Sequence, residues 1–196
     1  LRGRLHTAIT REQLLSADRL DDPTLESYLR ICKEFRPKLL VAYPSALRHF
    51  ADFCQARQAT IPSLEAIICS SESLFEHDRQ TFEEVLGVEV FNRYGCREVG
   101  CIAHERPGAE GLVINADRVL IELLDEQGRP APEGDLGAIH VTDLDSHAMP
   151  LIRYQIGDLA ISAPQPDGQP CPALARVEGR NLDVWPSPDG RAVDGT

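Results

Sequence analysis

Between Lys38 and Arg93 the chain alternates apolar runs with amphipathic stretches, and this alternation restricts the fold more than any other feature. Lys38–Tyr43 reads as a short, continuously apolar strand of the kind buried in a parallel sheet. Pro44-Ser45 restarts the chain as a helix that turns Leu47, Phe50, Ala51 and Cys54 inward. Leu64–Cys69 is the next strand and runs into the polar loop Ser70-Ser71-Glu72-Ser73. A helix from Glu76 to Leu86 follows, stopped by Gly87 at its C-terminal cap, and Val88–Arg93 is a further strand. Strand, helix, strand, helix, strand at this spacing implies right-handed βαβ crossovers and a parallel sheet. Upstream, Asp22 as cap and Pro23 at the first helical position start an earlier helix. It carries Leu25, Leu29, Cys32 and Phe35 on one face and ends at Pro37. Before it, Thr10–Leu15 offers a short helical turn.

From about Gly111 the periodicity changes. Short β-runs at Arg118–Asp125, Ala138–Thr142, Leu151–Tyr154 and Leu159–Ser162 are separated by turns rich in Gly and Pro. This predicts a small antiparallel barrel or curled sheet appended to the α/β part. Residues 164–172 read as a proline-rich loop. The expected organisation is therefore an α/β subdomain over 1–110, a small β-rich subdomain over 111–176, and a segment over 177–196 that opens another domain.

Charge excludes some partners. With 31 acidic against 20 basic residues the formal net charge is −11, which disfavours a broad nucleic-acid surface or an anionic membrane. No apolar run approaches the roughly 20 residues that span a bilayer. The start, Leu1-Arg2-Gly3-Arg4, lacks a hydrophobic signal core and an initiator Met, and reads as a piece cut from something longer. The 6 cysteines are scattered, several in apolar runs where a reduced thiol packs as a small hydrophobe, so a cytoplasmic protein is expected.

Candidate chemistry sits in three stretches. In Val90-Phe91-Asn92-Arg93-Tyr94-Gly95-Cys96-Arg97-Glu98-Val99-Gly100, a β-run ends at Tyr94-Gly95, where glycine frees the backbone to turn. Tyr94 offers a flat ring to a base and Glu98 a hard oxygen for Mg²⁺, although a plain strand and turn gives the same string. In Met149–Asp158, Arg153 is set in an apolar strand and Gly157-Asp158 places a carboxylate after a tight bend. That carboxylate suits two ribose hydroxyls, or else caps a turn. In Val177–Asp183, a Gly179-Arg180 turn aims a guanidinium at a ribose or phosphate, or else forms a surface ion pair.

In this order and at these separations the strings YGCREVGCIAHE, TDLDSHAMPLIRYQIGDLA and VEGRNLDVWPSPDGRAV resemble the adenylate-forming (AMP-binding) enzyme superfamily. The likeness is greatest to the branch of phenylacetate–CoA ligase, coenzyme F390 synthetase and CapK-like proteins, and RPKLLVAYPSALRHFADF and IICSSESL fit weaker parts of the same pattern. The resemblance implies the N-terminal domain fold of such enzymes, with ATP, Mg²⁺, a small carboxylic acid and a thiol such as CoA as ligands. It matches Tyr94 to the aromatic that stacks on adenine, and Glu98 to the Mg²⁺-coordinating carboxylate. Ser70, Ser71 and Glu72 match the loop lining the adenine and acyl edges, while Asn92, Arg93 and Gly95 accompany Tyr94 at the nucleotide. Asp158 matches the ribose-binding acid, and Arg180 the arginine beside the hinge between the large and small domains.

The departures are specific. Arg97 stands where a hydroxyl is more usual; it either meets the α-phosphate or turns into a structural ion pair. Gln155 stands where many relatives carry Arg, and Leu182 where many carry a polar hinge residue. The phosphate loop ending in Lys is expected upstream of Leu1 and the late catalytic Lys after Thr196, because the chain's lysines are Lys33 and Lys38. The expectation is the central, nucleotide-binding part of an acid–thiol ligase, inactive alone. The alternative is a non-catalytic nucleotide-binding or assembly module derived from one. Cys101 and His104, with Cys96, Cys171 and His147, fall short of a zinc pattern, so zinc is not expected. His49 and His140 read as packing or surface residues, and Tyr43 and Phe50 as core or as approaching an acyl pocket.

Overall fold

The computed structural model describes residues 10–164 and 173–180, and the backbone alone at 184–186 and 192–194. Leu1–Arg4, residues 165–172 with Cys171, and residues 181–183 with Leu182 lie outside the described residues. The chain forms two compact units, Leu1–Ile68 with Leu74–Val90, and Cys69–Ser73 with Phe91–Thr196. Each has its own logic.

In the first unit, α1 (Asp22–Phe35) starts at a cap one residue earlier than the sequence predicts: Asp21 accepts from the Thr24 N–H, with Pro23 inside the first turn. Asp21 is the better cap because its backbone is extended, which aims its carboxylate back at the free N–H groups. Leu25, Leu29 and Cys32 form the buried stripe, and Arg36 ends the helix in the left-handed conformation. Residues 11–16 carry no helix.

Then come β1 (Leu39–Ala42), α2 (Pro44–Ala56), β2 (Ala66–Ser70), α3 (Glu76–Leu86) and the start of β3 (Val90–Cys96). The helix over 76–86 and its Gly87 stop, at φ 73°, are as the sequence predicts. Ile67 N–H donates to Glu89 O, and further along both strands Ser70 Oγ donates to Arg93 O, so β2 and β3 run in the same direction. β1, β2 and β3 lie in that order, and right-handed crossovers then put α2 and α3 on one face. Arg48 of α2 accordingly pairs with Asp78 of α3 and lies 5.4 Å above the Phe82 ring. Leu47, Phe50, Ala51, Cys54, Ile67 and Phe82 are buried, so Phe50 is core. The expectation that β1 is buried on both faces does not hold. Leu39, Val41 and Tyr43 are 48%, 51% and 49% exposed, because β1 ends the sheet and their face is left open.

In the second unit β3 continues to Cys96, and a turn at Arg97–Val99 leads back into β4 (Gly100–His104). It is followed by β5 (Leu112–Ile114), β6 (Val119–Leu124), β7 (Leu136–Asp143), β8 (Tyr154–Ser162) and β9 (Ala173–Arg180). β10 (Val184–Pro186) and β11 (Ala192–Asp194) pair with each other. The 9-stranded sheet has the order β1-β2-β3-β4-β5-β9-β8-β7-β6, mixed and open, so the β-rich part is a curled sheet and not a closed barrel. Of the predicted run Leu151–Tyr154 only Tyr154 is in a strand: β8 opens there and runs without a break through the predicted Leu159–Ser162. Gly157, at φ 93°, absorbs the irregularity inside it. Arg153 lies before that strand in a bend at φ 49°, not within an apolar strand; its Nε donates to Glu122 at 3.0 Å. The core of this unit comprises Ile102, Ala103, Leu112, Ile139, Val141, Ile156, Ala160 and Leu174 among others, with Tyr94 packed against it.

Candidate functional site

Gly95 does not end its strand. It sits inside β3 at a bulge, where the register against β4 shifts between Tyr94 and Gly95. A Cβ on Gly95 would lie 2.1 Å from Gly100 O, so close backbone approach, not a turn, requires glycine here. The bulge interrupts the regular alternation of side chains just after Tyr94.

The Tyr94 hydroxyl donates to Asp158 Oδ2 at 2.7 Å. Asp158 Oδ1 in turn forms an ion pair with Arg180, whose Nε is 3.3 Å away, and these two residues are register partners between β8 and β9. Three residues singled out in separate stretches thus converge within the second unit. In strand order β3 and β8 are four steps apart. A flat sheet would hold them roughly 19 Å apart at about 4.8 Å per step. The 2.7 Å bond therefore requires the sheet to curl over its own core. Of the two sequence alternatives for Arg180 the structure shows the ion pair, and its partner is Asp158.

Burial and exposure differ sharply within the trio. The Asp158 side chain is 14% exposed and that of Arg180 67%. Burial first, and the hydrogen bond to Asp158 second, push the Tyr94 hydroxyl far above the ordinary phenol range, so it stays a donor. Gly157 leaves room beside the guanidinium: a Cβ there would stand 3.8 Å from Arg180 Nη1.

The other candidates form smaller groups. Ser70, buried at the end of β2, donates through Oγ to Arg93 O at 3.0 Å and accepts Arg93 Nε at 3.3 Å. Ser71 follows at φ 72°, with Ser71 and Glu72 both exposed. Asn92 N–H donates to Glu105 Oε2 at 2.7 Å, and Glu105 N–H to Asn92 O at 2.9 Å. Sequence reasoning gave Glu105 no role, although it lies in the quoted string YGCREVGCIAHE. Arg97 and Glu98 stand exposed in the turn after β3. The Cys96 thiol is raised by burial first, while the backbone N–H groups of Val99 and Glu98 pull the other way and its hydrogen bond to the Glu98 carboxylate raises it again.

No family model matches the chain. The phenylacetate–coenzyme A ligase of Thermus thermophilus is 33% identical over 144 residues, which cover 68% of this chain and 32% of that protein. The chain belongs to the adenylate-forming, AMP-binding superfamily and is phenylacetate–CoA ligase-like. The Pseudomonas putida phenylacetate–coenzyme A ligase is 26% identical over 166 residues, 81% of this chain and 37% of that protein. An open-conformation crystal structure of 2-hydroxyisobutyryl-CoA ligase in complex with 2-HIB-AMP and CoA superposes with a TM-score of 0.74 at 20% identity, over 87% of this chain and 42% of that one. The shared fold extends to that enzyme. The ligase-like chain spans roughly a third of the length of its curated relatives, 32% and 37% of these two.

Among the described residues, Cys101 and His104 are not placed to share a metal ion. Cys101 and His104 lie an odd number of residues apart on β4, so their side chains leave opposite faces. Arg106 Nε donates to His104 Nε2 at 3.2 Å, and burial together with that cation depresses the histidine pKa. Among the described residues no group of three or more His, Cys, Asp or Glu side chains could hold a metal ion. Magnesium asks for less: one carboxylate plus substrate phosphates is a usual arrangement, and exposed Glu98 fits it.

Proposed function

We propose that this chain is the central, nucleotide-holding part of an ATP-dependent acid–CoA ligase that passes through an acyl-adenylate. The observation that carries the reading is the convergence of Tyr94, Asp158 and Arg180 within one unit of a phenylacetate–CoA ligase-like chain. In this reading the Tyr94 ring lies against adenine and Asp158 accepts from the ribose hydroxyls. Arg180 sits beside the ribose where residues 177–196 lead towards a second domain. Asn92, Arg93 and Gly95 shape the strand end under the base, with Ser71 and Glu72 along its edge. Arg97 meets the α-phosphate.

The substrate carboxylate attacks the α-phosphorus of ATP while the bond to pyrophosphate breaks; the CoA sulfur then attacks the acyl carbon and AMP leaves. Glu98 would hold Mg²⁺, which when bound neutralises phosphate charge. The chain's own contribution is orientation and fixed charge, the usual source of catalysis when little covalent chemistry falls to the protein. Among the described residues no helix is long and apolar enough to cross a membrane, and five cysteines are free.

Calorimetric titration of the 196-residue chain with AMP tests the reading. Weak, saturable binding is expected, reduced by about 10- to 150-fold in Asp158→Ala through loss of charge-assisted hydrogen bonds worth ~1.5–3 kcal/mol. Equal affinity in the variant would sink the assignment.

A further inference from the structure

We infer that Tyr94 is a positioning residue whose hydroxyl sets the Asp158 carboxylate for the vicinal diol of a ribonucleotide, beyond any part its ring plays against the base; this rests on the ribose-binding reading of Asp158. An aspartate carboxylate rotates freely about its last bond, because that torsion is broad. Here a hydrogen bond and an ion pair from different strands hold it: Tyr94 Oη donates to Oδ2 at 2.7 Å, and Arg180 Nε lies 3.3 Å from Oδ1. The two are unequal. Arg180 is 67% exposed on a flexible stem, and its contact is an ion pair without a hydrogen bond. Tyr94 is packed against the core of the second unit and carries a rigid ring, so its oxygen has one place to be. The plane of the carboxylate is therefore set mainly by Tyr94.

The geometry leaves room for a diol. A carboxylate has about four lone-pair positions, and the Tyr94 hydroxyl takes one of them, on Oδ2. Of those left over, one on each oxygen suits two neighbouring hydroxyls of one sugar. Such a diol must meet both oxygens together, so a carboxylate free to rotate would bind it less well. The Tyr94 hydroxyl remains protonated throughout the physiological range because burial pushes its pKa up, which keeps it a donor.

The test separates the hydroxyl from the ring. AMP and its 2′,3′-dideoxy analogue are titrated by calorimetry into the wild-type chain, Tyr94→Phe, Asp158→Asn and the double variant. Tyr94→Phe keeps the ring, so affinity for the dideoxy nucleotide is expected to stay within about twofold, which also reports that the variant is folded. Its affinity for AMP is expected to fall by about tenfold, the scale of one charge-assisted hydrogen bond. Asp158→Asn should lose the preference for AMP, and adding Tyr94→Phe to it should remove nothing further. A Tyr94→Phe chain that binds AMP like wild type, or weakens for both nucleotides alike, overturns the inference while leaving the Asp158 reading intact. A wild-type chain that binds neither nucleotide, or does not distinguish them, overturns both.

Discussion

Gly95→Ala is the sharpest test of how the candidate site is built. A Cβ at this position falls 2.1 Å from Gly100 O, 3.0 Å from Gly100 C and 3.2 Å from Cys101 Cα, where ordinary contact begins at 3.4 Å. All three atoms are backbone of the paired strand β4, so no side chain can swing aside. Relief requires opening the β3–β4 pairing beside Tyr94. Overpacking of this kind typically costs ~1–3 kcal/mol. Replacing glycine also removes freedom from the unfolded chain, which offsets ~0.4–1 kcal/mol. Because the 2.1 Å clash is with backbone, the upper end of that cost applies, and the net expectation is a loss of about 2 kcal/mol, or about 4–8 °C in melting temperature for a chain of this size. Thermal and urea unfolding followed by far-UV circular dichroism read it directly. Gly87→Ala is the comparison: its φ of 73° makes alanine strained, but nothing lies within 4 Å, so it should lose only about 1 kcal/mol. A Gly95→Ala chain as stable as wild type, or less affected than Gly87→Ala, would refute the close-approach explanation.

Other outcomes follow from the same structure. Glu98→Gln in the whole ligase should keep nucleotide binding but slow adenylation, since the amide keeps the shape and removes the charge that Mg²⁺ prefers; pyrophosphate exchange at the wild-type rate would rule out the role. Burial holds the Cys54 thiol protonated up to about 11, against an ordinary 9.0. Above about pH 9 the unfolded chain releases this proton and the folded chain does not, so stability should fall from there to about pH 11. Urea midpoints across that range should drop less in Cys54→Ala. Ile67→Ala, at a fully buried position, should lose ~2–5 kcal/mol. Val41→Ser, on the open face of β1, should stay within about 0.5 kcal/mol, and a larger loss would show that face to be covered. The 196-residue chain given ATP, Mg²⁺, CoA and aryl acids should release no AMP above background. The Lys-terminated phosphate loop and the late lysine of the resemblance are not in its sequence, and robust acid-dependent release would show the catalytic groups misplaced.

Local signals carried the α/β part. The helix at 76–86 with its Gly87 stop, the inward face of Leu47, Phe50, Ala51 and Cys54, and the strand–helix alternation all depend on residues within a few positions of one another. The three motif strings likewise sit each on one short stretch, so the superfamily was legible before any contact was known. What the sequence could not yield depends on register and curl. The bulge at Gly95, the unbroken course of β8 from Tyr154 through Gly157, and the open face of β1 are set by which strand lies alongside. The Tyr94–Asp158 bond joins residues 64 apart across four strand steps of a curled sheet. Periodicity fixes which side of a strand a residue takes. Only the curvature of the assembled sheet decides that the tyrosine oxygen and the aspartate carboxylate meet, because that curvature sums small twists over many strands that no local pattern encodes.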